Sequence, residues 1–119
     1  MTKRKAGLIA LRDAVRDGRD ADAVAINRRM ASEARDRGGF WHADDVAKVI
    51  ERGSLDAARA LHDAVLPGFL WHAATGTVAS TWFVVGNTDT TIASGTADNP
   101  ARAWLLAILE ALIAQETPE

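Results

Sequence analysis

Apolar positions repeat with a helical period through the first half of the chain and with a period of two after Pro67. Leu8, Leu11 and Val15 stand at i, i+3 and i+7 and predict a helix over 6–17, with Gly18 suited to a left-handed cap at its end. Ala23, Ile26, Met30 and Ala34 form the stripe of a second helix over about 21–36, with Asp20 as its cap and Gly38-Gly39 as its stop. Phe40-Trp41 then places apolar bulk in a connector. Val46, Val49 and Ile50 predict a short third helix over about 43–52, stopped by Gly53. Ser54 caps a fourth helix with Asp56 in its first turn, its stripe being Leu55, Ala58, Leu61 and Val65, and Pro67-Gly68 breaks it.

The residues that follow are rich in Trp, Phe, Val, Thr and Ile and predict strands over Phe69–Thr75, Ser80–Gly86 and Thr90–Gly95. The connections Thr75-Gly76-Thr77 and Asn87-Thr88-Asp89 are short and turn-like, so the strands form an antiparallel meander. Asn99 and Pro100 start a last helix over about 100–115 that is apolar almost all round and must be heavily covered. Both faces of the first two strands carry apolar residues, and both are expected to need cover. The expected fold is therefore α+β: a three-layer helix–sheet–helix sandwich around the meander, in the order α-α-α-α-β-β-β-α. It forms one domain over residues 1–119, with a helical half (1–53) and an α-β-β-β-α unit (54–115).

Composition narrows the function classes. The net charge of −2 argues against a general polyanion binder. Residues 1–53 carry 12 basic and 9 acidic side chains, and residues 54–119 carry 2 and 7; this asymmetry is read as two solvated helical surfaces of different composition. The absence of cysteine excludes disulfides, thiolate metal sites and a Cys nucleophile. Arg12, Asp13, Arg16 and Asp17 interrupt what would be the apolar part of a signal peptide, and the run Ala103–Ala114 is too short to span a bilayer.

Residues 54–114 resemble the small phage and prophage proteins grouped as the phage ABA sandwich domain. The resemblance rests on Ser54-Leu55-Asp56-Ala57-Ala58, on Leu66-Pro67-Gly68 followed by Phe69 and Trp71, and on Gly95, Ala97 and Asn99-Pro100-Ala101-Arg102-Ala103. Asn99 stands where the family usually has Thr. The first half matches only through Gly18-Arg19-Asp20 and the alanine-rich helix after it. The resemblance implies a bacteriophage or prophage product working in a bacterial cytoplasm, and brings no catalytic residues with it.

Candidate chemistry is sparse. His42, Asp44 and Asp45 are the densest group of metal-ligand types, yet they lie at a helix start, where acidic residues serve the helix dipole. His62 and His72 would form a site only if the helix brought His62 to the strand; His62, beside Asp63, is read as exposed. Gly76, Gly86 and Gly95 are spaced as turn residues, not as a phosphate loop. Ser54, Ser80 and Ser94 lack a nucleophile-elbow context. Asp89 and Asp98 are read as turn residues. Trp71 and Trp82, with His72 between them in sequence, are the candidate ligand-binding group; core packing is the competing reading, and Trp104 is assigned to the core.

No catalytic residue, metal or cofactor is assigned. The leading expectation is a phage accessory protein that binds a host protein or ligand, for example a host enzyme or a defence component. The alternatives are an RNA-binding module with double-stranded-RNA-binding-domain-like topology and a small nucleotide-binding protein. The first is weakened because Arg102 is the single basic residue where that fold places a lysine cluster. A homodimer is expected, because the last helix and Phe40-Trp41 offer more apolar surface than so small a chain is expected to hide.

Overall fold

The computed structural model describes residues 2–86 and 90–116. Its elements run α1 (Lys3–Arg16), α2 (Asp20–Asp36), α3 (Ala43–Arg52), α4 (Leu55–Val65), β1 (Leu70–Thr75), β2 (Ser80–Val85), β3 (Thr91–Ala97) and α5 (Pro100–Gln115). The fold is α+β, in the predicted order. The strands form one antiparallel sheet, β1-β2-β3. The expected turn Asn87-Thr88-Asp89, with Asp89, lies outside the described residues.

Local sequence sets most boundaries. The Ser54 hydroxyl accepts from the Ala57 N–H, and the Asn99 side chain accepts from the Arg102 N–H with Pro100 following it. Gly18, Gly38, Gly53 and Gly68 take positive φ where helices end. Two expectations fail. Helix α1 begins at Lys3, because the Thr2 hydroxyl caps it by accepting from the Lys5 N–H. Asp20 is not the cap of α2: Arg19 holds that position without a side-chain bond, and Asp20 is the first helical residue.

Asp20 has a long-range role instead. Arg102 of α5 grips its carboxylate with two bonds, Nη1–Oδ1 at 2.9 Å and Nη2–Oδ2 at 2.7 Å, and Nη2 also donates to the Ile50 carbonyl at 2.7 Å. One guanidinium thus ties together α2, α3 and α5. The hydrogen bond from Arg102 holds the Asp20 carboxyl below its ordinary range. A depressed carboxyl contributes stability above its unfolded pKa, and that contribution is lost as pH falls through the folded value. Asp20→Asn should therefore lower the stability at neutral pH by at most ~1 kcal/mol, because the carboxylate is half-exposed and screened. The gap between the variant and the parent should close as pH falls through the folded value of Asp20, since protonation leaves both with an uncharged residue 20. A deficit that persists unchanged in acid would show that the ion pair is not its source.

Helix α5 is the centre of the molecule. Ten of its sixteen residues are buried, on all sides of the helix. β2 and β3 pack on one side of it, and α1, α3 and α4 on the others, with α2 joining α1 to α3. This arrangement corrects the expected layering. The N-terminal helices do not cover a second face of the sheet; they cover α5, so the sheet is an outer layer. The reason lies in α5, which has a continuous apolar surface where an amphipathic helix has one stripe. It therefore needs cover from both directions, and the helices that could have flanked the sheet are used there.

Gly95 lies in mid-strand in β3 and is buried, so it is not a turn residue. A Cβ built on it would stand 2.5 Å from the Ala103 carbonyl oxygen, 2.6 Å from the Ala107 amide and 2.6 Å from the Leu106 Cβ. The strand backbone thus rests directly on the backbone of α5, an approach open only to glycine.

Candidate functional site

The register of the sheet sorts its aromatic residues onto two faces. Trp71 pairs with Val84, Ala73 with Trp82, and His72 with Phe83. Residues directly opposite share a face, so Trp71 and Trp82 face α5 while His72 and Phe83 face outward. The three residues expected to act together are therefore split. Trp71 and Trp82 meet with ring centroids 5.7 Å apart, and His72 is stacked on Phe83 at 4.6 Å on the other side of the sheet.

On the inner side, Trp104 of α5 completes a cluster, at 4.9 Å from Trp82 and 4.5 Å from Trp71. Trp82 and Trp104 are buried, and Trp71, at the rim, remains 39% exposed. Among the described residues the buried Trp82 indole N–H has no hydrogen-bond partner, and its ring packs against Trp71 and Trp104. At 6% exposure Trp82 is part of the packed core.

His62 is buried at 1% exposure beneath this cluster, against the expectation that it faces solvent. Its Nε2 lies 2.9 Å from the Phe69 carbonyl, and its Nδ1 lies 3.2 Å from the Trp104 indole nitrogen. A carbonyl accepts and an indole N–H donates, so the ring carries its hydrogen on Nε2 and accepts at Nδ1. His62 is thus a fully bonded strut between α4, the start of the sheet and α5, and it does not meet His72. The missed signal was helical spacing: His62 follows Ala58 by four and adjoins Leu61, on the stripe of α4 that is buried, while Leu55 is exposed.

His42, Asp44 and Asp45 line an open groove of about 450 Å³ with Arg35, Phe40 and Lys48. Asp44 and Asp45 occupy the first turn of α3, where the helix dipole favours them. Among the described residues no three His, Cys, Asp or Glu side chains are gathered to hold a metal ion. Phe40 is exposed and meets His42 edge to face at 4.8 Å. Trp41 is not exposed bulk: it is buried, and its indole N–H donates to Asn27 Oδ1 at 2.7 Å. Asn27, itself buried, passes the bond on to the Ala43 carbonyl at 3.0 Å. A polar residue on the α2 stripe thus positions the connector before α3.

No family model, curated protein or solved structure matches this chain.

The outer surface of the sheet is the feature that remains. Every residue of β1 is exposed. The outer face presents Leu70, at 62% exposure, the His72–Phe83 stack, and the polar residues Thr81, Ser94 and Thr96. Thr81 and Thr96 join their hydroxyls across the strands at 2.9 Å. A bulge near Val84 and Val85 leaves Ile92 without a partner residue and exposed. Among the described residues, four of the six large exposed apolar side chains, Leu70, Trp71, Val78 and Ile92, belong to this sheet and its first hairpin. The arrangement exposes apolar and hydroxyl-bearing side chains side by side. No helix among the described residues is long and apolar enough to cross a membrane.

Proposed function

We propose that this chain is a small phage or prophage accessory protein that acts in the bacterial cytoplasm by binding a protein of the host. The phage setting rests on the resemblance of residues 54–114. The binding mode rests on one observation: the outer face of the sheet is left uncovered while carrying Leu70, His72 and Phe83. Contiguous exposed apolar surface of this kind, edged by polar groups, is what protein partners use. Asp20 engages Arg102, the lone cation at the start of α5, so that helix has no free charge to offer RNA phosphates. Nucleotide stacking is disfavoured by the burial of Trp82.

The test is site-specific photo-crosslinking in bacterial cells, with the reactive side chain at position 72 on the sheet or at position 48 on α3. A partner protein should be captured from position 72, absent from position 48, and lost with Phe83→Glu. Equal capture from both positions, or RNA as the sole adduct, would overturn this reading.

A further inference from the structure

We propose that the free edge of β1 is a homodimerisation edge, pairing antiparallel with β1 of a second copy to make one six-stranded sheet. This inference stands apart from the host-binding reading, because it is tested on the purified protein alone.

The Gly76 N–H donates to the Ala79 carbonyl at 2.8 Å at the head of the first hairpin. Bonded and non-bonded pairs alternate along an antiparallel ladder, and the register from Leu70↔Val85 to Thr75↔Ser80 is unbroken. Leu70, His72 and Ala74 therefore direct their N–H and C=O groups to β2. Trp71, Ala73 and Thr75 direct theirs away from the sheet. These three positions are symmetric about Ala73. A two-fold axis there sets Ala73 opposite Ala73 of the second copy and Trp71 opposite Thr75 of the second copy, so every outward group finds a partner. The edge is self-complementary, which is what a closed two-fold contact requires.

Natural sheets guard free edges with charge, proline or bulges. β1 has none of these: Leu70–Thr75 contains no charged residue and no proline, and its ladder has no bulge. The opposite edge is guarded. Ser94, Gly95 and Thr96 of β3 share a cleft with Arg12, Arg16 and Glu110, and Arg12 is locked to Glu110 at 2.6 Å. An open edge on one side and a charged one on the other gives a dimer and not a fibre.

The occupant follows from chemistry and size. Unpaired backbone groups are satisfied by another strand, and a second copy supplies one of matching length. The contact is six residues of strand per copy, well below the roughly 20–30 residues a side of a standard interface. The dimer is therefore weak and reversible. It leaves the outer face open and doubles its width.

Sedimentation of the full chain from about 1 µM to about 1 mM should show the mass rising from 12.7 kDa toward twice that value. Amide exchange should slow with concentration at Trp71, Ala73 and Thr75, while Leu70, His72 and Ala74 are protected throughout. Ala73→Pro removes the central outward donor, and Ala73→Lys sets like charges against each other across the axis. Each should weaken association at least ~10-fold, and Ala73→Lys carries the test if the proline variant does not fold. A single species at 12.7 kDa up to the highest concentration would overturn the proposal. So would association that survives Ala73→Lys, or protection that rises elsewhere and not at the three outward amides.

Discussion

Gly95→Ala should destabilise the protein by about 3 kcal/mol or more, the upper part of the range for forcing atoms into packed space. The added methyl meets the Ala103 oxygen and the Ala107 nitrogen at 2.5 and 2.6 Å. Both are backbone atoms of α5, so no side-chain rotation relieves the contact and the sheet must lift from the helix. Such a loss corresponds to a fall of roughly 10 °C or more in melting temperature for a domain of this size. Gly86→Ala is the control. Its methyl would meet Ile92 at 3.6 Å, ordinary contact distance, so the change should stay within about 1 kcal/mol. Equal melting of the two variants would show that β3 does not rest on α5 as described.

Ile108→Ala should cost roughly 2–5 kcal/mol, the range for truncating a buried aliphatic side chain. Ile108 is wholly buried in the helix that the rest of the molecule surrounds. Surroundings with rigid elements on several sides collapse poorly into a cavity, which favours the larger value. Leu106 is also buried, but it lines the shallow cleft beside Arg12 and Ser94. Leu106→Ala should therefore fall lower in the same range, because that site can relax toward solvent. Denaturant unfolding followed by tryptophan fluorescence measures both. A loss under 0.5 kcal/mol for Ile108→Ala, about the scatter of a neutral surface change, would remove α5 from the centre of the fold.

Local chemistry was legible in the residues alone. The four-helix, three-strand, one-helix order follows from a hydrophobic period that changes at Pro67, and the caps at Ser54 and Asn99 and the stops at Gly18 and Gly53 follow from side-chain and backbone preferences within a few residues. The all-round apolarity of α5 announced its burial for the same reason. What the sequence could not determine depends on which surfaces meet. Periodicity names an apolar face but not the element that covers it, so the sheet was expected in the middle and is found outside. His62 and Asn27 sit on buried stripes, and only the tertiary structure supplies the carbonyls and indole groups that make a polar side chain tolerable there. Asp20 resembled a cap because caps are local; its partner Arg102 lies 82 residues away in the chain. Gly95 resembled a turn glycine because a sequence shows the missing side chain but not the helix backbone that occupies its place.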